Sequence, residues 1–487
     1  MTTASSPALP SATLLSRPHT DRPIPSRHPL APLCSAGTVR LRCAQVLQSV
    51  EQNLSASFKL DRAALVLLSR RVIEQLAAAV PAHADTAPGL RHPFWQALQA
   101  GGVDRLAELE QLLSGQPADE QARAWTDLAV LGVLLGADPG PRWRYTEQQG
   151  LPTAAFAQAA PDELLALQDR AGKTALPAAP PADDNSGPAQ TTAAAATTFG
   201  DGEGLAIASF RAFVAGAFSA DKNQPCRVQT ATLRHVDVAA RRAVLQGTPQ
   251  NPIQGLEGRA AVLARFGQLL QALPGAGGAA ARPCDWVQSL ATPGRAGTAV
   301  DAASLLSSLL RAGAALWPNA PVQGLPAGDV WQHRWAGEAV AATVAAAGAD
   351  LGTSGWVPLH ATGQALVGAL ALPLQRAGLQ LCGLETLTAS AGHATSALLL
   401  AAGVIVPRQQ RLLSRGLALA DEAVVECRAL AVALFDELTS LARAGLHAHW
   451  GADAARLTVA EVVQATADVW AGGGAPALRI EGDGALF

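Results

Sequence analysis

The chain has 487 residues, of which 49% are hydrophobic and 15% charged, and its formal net charge is −3. A disordered chain would carry more charge and less apolar mass. A general polyanion partner, nucleic acid or an anionic membrane, would need a basic balance that this chain lacks.

Residues 1–33 are rich in Ser, Pro and Arg, with Asp21 the only acid, and contain no apolar run of signal-peptide type. They read either as a disordered tail, ending near residue 35, or as a cleaved organelle transit peptide; without import the expected location is the cytoplasm. Asp61 is placed as an N-cap for a helix carrying Leu65, Leu68, Val72 and Leu76, with Pro81 as its stop. Leu106, Leu109, Leu112 and Leu113 form a second stripe, ended by Gly115. Trp125, Leu128, Leu131 and Leu135 form a third. Residues 152–198 break the pattern. Within them, 174–198 are Ala, Pro, Thr and Asp with almost no large apolar side chain, the composition of a flexible insertion. A further loop is expected at 274–283. Near the C-terminus, Thr458 and Glu461 fit a capping box ahead of Val462, Val463 and Val469. Strand patterns are scarce, the best being the tail 477–487. The fold class is therefore mainly α. Residues 36–487 form a single helical domain, or two lobes meeting in the 274–300 region, since cores tend to split beyond roughly 250–300 residues.

The most apolar stretches, 366–374 and 398–406, fall far short of the roughly 20 residues that span a bilayer as a helix. Six cysteines with no C-x-x-C pair read as free thiols.

Five places set polar residues against an apolar pattern. The 421–446 helix reads AVVECRALAVALF over 423–435, apolar on every face and so buried, yet it contains Glu426 and Arg428. Buried charges need partners, and residues two apart on a helix do not face each other. The structural reading is two separate internal salt bridges; the functional one is a ligand pocket. In NPIQGLEGRAAVLARF (251–266), Glu257 sits where a helix begins and Arg259 follows. Helix-dipole complementarity and solvation account for both as well as a site does. In the 355–374 stretch His360 and Gln364 lie four apart on one helical face in apolar surroundings, and no second His or Cys stands at metal-ligand spacing. FGDGEGLAIASF (199–210) alternates glycines before a helix, which suits either an anion or a plain turn, and it is neither a Walker loop nor GxGxxG. GDVWQH (328–333) places Asp329 and His333 four apart.

Eight runs together carry a resemblance. They are GGVDRLAEL (101–109), DLAVLGVLLGADPGPRWRY (127–145), EGLAIASFRAFVAGAFSAD (203–221), NPIQGLEGRAAVLARFG (251–267), GDVWQH, VPLH (357–360), DEAVVECRALAVALFDEL (421–438) and EGDGALF (481–487). In this order the chain resembles the uracil catabolism protein 4 family of fungi and bacteria, with 152–198 as an insertion. EGLAIASF, LEGRAAVL and VVECRAL also resemble, more distantly, the queuosine-salvage nucleosidase family. Those enzymes cleave an N-glycosidic bond in a mainly helical fold related to DNA glycosylases. The joint implication is a hydrolase of an N-ribosidic bond in ribosylurea or its phosphate, releasing urea. Such chemistry needs a carboxylate to stabilise an oxocarbenium-like ribose or to activate water.

The resemblance assigns the catalytic carboxylate to Glu257 or Glu426. Arg259 and Arg428 would bind a substrate anion, His360 and Gln364 would line the ribose pocket, and Asp329 and Asp483 complete the substrate-binding set. No cofactor and no metal is implied; the partner is a small ribosylated molecule, with no nucleic acid and no membrane. The chain also departs from the family pattern. An acidic, aromatic, basic run expected after GL-x-x-LT is Gly392, His393 and Ala394, and a lysine expected after the VPLH histidine is Ala361. The alternative reading is therefore a catalytically silent member that binds a nucleotide-like ligand or a partner enzyme; a purely structural protein is the third.

The composition of 174–198 generates one expectation. A variant lacking these residues should unfold in the same cooperative transition as the full chain, measured by circular dichroism on heating. Loss of that transition would place the segment in the core.

Overall fold

The computed structural model describes residues 24–78, 88–148, 196–235, 237–275, 278–294, 297–317, 321–336, 353–470, 477–482 and 484–485. Residues 1–23 of the expected tail, residues 152–195 of the expected insertion, and Asp483 lie outside them.

The helical stripes form as their spacing predicts. Asp61 accepts the Ala64 amide at 3.0 Å ahead of the Arg62–Ala78 helix, which buries Leu65, Leu68, Val72 and Leu76. The Arg105–Leu113 helix buries Leu106, Leu109 and Leu113. Leu112, counted in that stripe from sequence, points outward and is 45% exposed. The Ala118–Leu135 helix buries Trp125, Leu128, Leu131 and Leu135. Thr458 and Glu461 make the reciprocal capping box that starts Val459–Val469.

Two helices organise the rest. Glu422–Trp450, 29 residues long, is fed by straight-chain and alanine residues and ends where Gly451 turns to φ 57°. The Ala36–Glu51, Arg62–Ala78, His393–Ala401 and Val459–Val469 helices pack around it. Ala118–Leu135 is the other centre, covered by Asp201–Val214, Pro283–Leu290, Ala361–Ala369 and Ala371–Arg376. Each centre has its own apolar cluster, one around Trp95, Trp125, Phe210 and Phe266, the other around Leu430, Leu434, Phe435 and Leu438. The 274–300 stretch, the expected seam, contributes Trp286, Val287 and Val300 to the first cluster. A smaller cluster lies where the two meet: Val39, Cys43 and Val46 with Val357, Leu359, Ala391, Val425, Ala429 and Val432.

The described strands form two-stranded pairs that staple distant segments. Phe58–Leu60 pairs antiparallel with Ile405–Pro407, Arg144–Gln148 with Ala196–Gly200, and Val330–Gln332 with Trp356–Pro358. Ala299–Asp301 pairs in parallel with Gln380–Cys382, and Leu417–Ala418 with Ile480–Glu481. The strand expected over 477–487 is thus confined to Ile480–Glu481 among its described residues. Among the described residues, no helix is long and apolar enough to cross a membrane.

Candidate functional site

Arg428 is 1% exposed and its guanidinium forms a two-pronged pair with Asp329, Nη1 to Oδ1 at 3.0 Å and Nη2 to Oδ2 at 2.7 Å. Its Nε donates to the Ala391 carbonyl at 2.9 Å. The Asp329 carboxylate also accepts from the Trp331 indole at 2.5 Å and from the Ala361 amide at 3.0 Å. Burial alone would raise this carboxyl, but Arg428, Trp331 and the Ala361 amide outweigh it and hold it below the ordinary carboxylate range.

This pair sets the next segment. Asp329 caps the Ala361–Ala369 helix from outside, so the N-cap residue His360 does not do so with its own side chain. The chain leaves the Trp356–Pro358 strand and enters the helix within two residues, and His360 adopts φ 46°, ψ 42° to make that turn. A non-glycine residue held there costs about 1–2 kcal/mol, which the Asp329 contacts must offset. His360 Nε2 lies 2.8 Å from the Leu33 carbonyl, an acceptor, so Nε2 carries the proton and Nδ1 keeps its lone pair. Burial lowers the imidazole pKa and keeps it neutral. Nδ1 is buried with no hydrogen-bond partner among the described residues, as is Gln364 Oε1, whose own Nε2 donates to Thr388 Oγ1 at 2.9 Å. Ser390 Oγ donates to the Ala361 carbonyl at 3.2 Å, which brings the 388–393 loop against the same helix start. Ala361 and Gly392, where the family pattern expects a lysine and an acid, therefore sit on either side of the Arg428–Asp329 pair.

Glu426, two residues before Arg428, faces elsewhere. Its Oε1 accepts from Ser55 Oγ, and its Oε2 lies 3.5 Å from His333 Nε2. His333 Nδ1 accepts the Trp335 amide at 3.3 Å, so Nε2 carries the proton, and it lies beside Glu426 without hydrogen-bonding it. GDVWQH thus grips the long helix twice, Asp329 on Arg428 and His333 on Glu426. Side chains two apart on a helix diverge by about 200°. Their partners flank the three-residue strand Val330–Gln332, whose length separates Asp329 from His333.

A small open cleft lies beyond the 392–393 turn, lined by Asp138, Gln254, Ile480 and Gly482. Asp138 Oδ1 accepts the Gly140 amide at 2.8 Å, and Oδ2 lies 3.8 Å from His393 Nε2. Asp138 keeps 31% of its side chain exposed. Gly140 has φ 90°, and a Cβ there would meet Gln254 Cδ at 2.7 Å, so its lack of a side chain lets Gln254 lie over the turn. The Gln254 amide donates to the Pro139 carbonyl at 2.9 Å. Arg259, 1% exposed, ties both walls together: its Nε reaches the Leu135 carbonyl at 3.2 Å, and its two terminal nitrogens bond the Ala137 and Gln254 carbonyls.

The structure thus brings Asp329, His360, Gln364 and Arg428 together, with Glu426 on the neighbouring face of the same helix. The partners that spacing suggested differ from those observed: Arg428 takes Asp329 rather than Glu257 or Asp483, and Glu426 takes Ser55 and His333 rather than Arg259 or His360. Arg259 is a loop clamp at the cleft's base. Glu257 is placed apart, its side chain 77% exposed and 3.9 Å from Arg242, in the first turn of Leu256–Gln271 where a negative charge suits the helix dipole. Sequence reasoning missed Asp138. The signal was the Asp-Pro-Gly turn inside the 127–145 run, a geometry that fixes one carboxylate oxygen and leaves the other outward. Among the described residues, no group of three or more His, Cys, Asp or Glu is arranged to hold a metal ion.

A family model described as Protein of unknown function (DUF1688) matches residues 32–158 and 185–483. The chain is similar to Protein urg3 of Schizosaccharomyces pombe, 27% identical over 309 residues, which cover 63% of this chain and 63% of that protein. It is also similar to Uracil catabolism protein 4 of Lachancea kluyveri, 26% identical over 294 residues, which cover 59% of this chain and 55% of the relative. The match therefore spans less than two thirds of either relative's length.

The pair geometry predicts an asymmetry in stability. Arg428→Met strands a buried carboxylate and should lower the unfolding free energy by roughly 3–5 kcal/mol. Glu426→Gln should cost less, because an amide oxygen can still accept from Ser55. Because Asp329 is depressed, the pair's contribution should persist down to about pH 4 and be lost as the pH falls further. Denaturant titrations across pH test all three; near-native stability of Arg428→Met would show that the pair does not hold the helix.

Proposed function

Because the chain belongs to the family described as Protein of unknown function (DUF1688), and a relative is named Uracil catabolism protein 4, we propose that it acts in uracil catabolism as a hydrolase of an N-ribosidic bond. The substrate is ribosylurea or its phosphate, and the products are urea with ribose or ribose phosphate respectively. One observation carries this reading. Runs of the resemblance that lie far apart in the chain supply two groups joined by the 391–393 turn: Asp329, His360 and Arg428 are buried on one side of it, and Asp138, Gln254 and Gly482 line the cleft on the other.

Within that locus the carboxylates divide by engagement. Asp329 is buried with its lone pairs filled by Arg428, Trp331 and the Ala361 amide, and Glu426 is buried beside Ser55 and His333, so neither oxygen pair opens onto the cleft. Asp138 faces the cleft with Oδ1 fixed by Gly140 and Oδ2 turned towards His393. It is the group suited to stabilise positive charge at the ribose carbon or to take a proton from the attacking water. In the balanced step, water adds its hydroxyl to that carbon, the C–N bond breaks, and the ureido nitrogen leaves with a proton. His360 and Gln364 are buried and do not line this cleft, so they act on it only by fixing the Ala361–Ala369 helix start.

A second reading is favoured by Gly392. A Cβ there would meet nothing nearer than Ser390 Oγ and Thr395 Oγ1, both at 3.9 Å, so a longer side chain is sterically admissible where none is present. This supports a catalytically silent member that binds a nucleotide-like ligand or a partner enzyme.

Urea release from ribosylurea separates the two. Under the first reading wild-type protein turns over, Asp138→Asn lowers the rate by about 10²-fold or more, and Glu257→Gln leaves it unchanged. A silent wild type that ribosylurea nonetheless protects from melting, together with turnover gained by Gly392→Glu plus Ala394→Arg, would replace it with the second.

A further inference from the structure

The fourth side of the cleft comes from the C-terminal segment, and its attachment is unusual. Ile480 and Gly482 line the cleft opposite Asp138 and Gln254. Two strand residues, Ile480 and Glu481, pair with Leu417 and Ala418, and the Leu417 amide donates to the Arg479 carbonyl at 2.9 Å. Ile480 packs against both main apolar clusters. Beyond the cleft the backbone of Gly484 rests on that of Gly255. Gly484 has φ 76°, and a Cβ on it would land on the Gly255 carbonyl oxygen, far inside van der Waals contact. Gly255 is itself left-handed at φ 66°, immediately before the Leu256–Gln271 helix and one residue after Gln254. Ala485 is then buried in the first cluster.

We infer that Ile480 and Gly482 form a working wall of the ligand site and that Gly484 is the positioning residue that seats it, through close backbone contact with Gly255. The inference rests on the reading of the cleft as the ligand site. Residue 484 has to be glycine for two separate reasons, the left-handed backbone and the missing Cβ, and the second can be isolated. Gly378 has φ 78°, nearly the same, but a Cβ there would meet nothing within 4 Å. Gly378→Ala therefore carries the backbone strain alone, whereas Gly484→Ala carries the strain and lifts the wall.

The test compares wild type, Gly484→Ala and Gly378→Ala in full-length protein. Ribosylurea affinity is measured by calorimetry, melting temperature in parallel, and amide hydrogen exchange over 478–482 with and without ribosylurea. The expected result is that Gly484→Ala weakens ribosylurea binding by about tenfold or more while Gly378→Ala stays near wild type, a difference well outside measurement error. Gly484→Ala should melt below Gly378→Ala, because its Cβ meets backbone, while both variants still unfold in one cooperative transition. In wild type, ribosylurea should slow exchange at 478–482. Wild-type affinity in Gly484→Ala, or exchange at 478–482 indifferent to bound ribosylurea, overturns the inference and leaves the functional reading standing. A wild-type chain that binds no ribosylurea overturns both.

Discussion

The buried pair of Arg428 and Asp329 is the constraint from which the rest of the site follows. A guanidinium and a carboxylate taken out of water repay their desolvation only with good geometry and with their remaining valences filled. Here the filling does the architectural work. Arg428 spends its third donor on Ala391, which fixes the 388–393 loop. Asp329 spends its remaining capacity on Trp331 and on the Ala361 amide, which fixes a strand and a helix start. Three segments, at 329–331, 361 and 388–393, are thereby held to one point on the long helix. The strained turn at His360 persists because that point over-determines it.

Other buried arginines follow the same logic with loops. Arg259 gathers carbonyls from 135, 137 and 254. Arg105 gathers those of Leu98, Ala100 and Val103 and pairs with Glu147. Arg282 pairs with Asp127, which in turn accepts the Val228 and Cys284 amides. A mainly helical chain leaves backbone groups unsatisfied at every helix end and connection. Arginine suits this task, because its planar fork reaches several carbonyls at once and stays charged when buried. With 15% charged residues, this chain devotes several of its arginines to its own backbone.

How much of this was legible in the sequence depends on the range of the interaction. Stripes such as Leu65, Leu68, Val72 and Leu76, and caps such as Asp61 and Thr458, are local and could be read directly. The all-apolar helix around Glu426 and Arg428 could be read as buried, and the need for outside partners followed from helix geometry. Which partners could not follow. Asp329 is 99 residues from Arg428, and nothing in spacing distinguishes it from Glu257 or Asp483. Apart from the five-residue pair Arg144–Gln148 and Ala196–Gly200, the strands escaped because two or three residues carry no period-2 signal. Asp138 escaped because a turn aspartate is common, and its value depends on Gln254 and the C-terminal segment lying opposite it.

The same division explains where a reactive group can sit in this fold. A carboxylate deep in the core is stable there only while its oxygens are occupied, and an occupied oxygen is a poor base and a poor partner for a developing cation. A carboxylate in bulk solvent, like Glu257, is free but acts in a dielectric that weakens it. A rim position lies between these limits. Asp138 has one oxygen tied by its own turn and one turned to the cleft, and its loop is held from beneath by Arg259. Beyond the cleft the chain closes with backbone alone, Gly484 against Gly255, without adding a competing side chain. The paired charges of the interior and the partly free charge at the rim are therefore two consequences of one requirement, that a buried charge be met by partners.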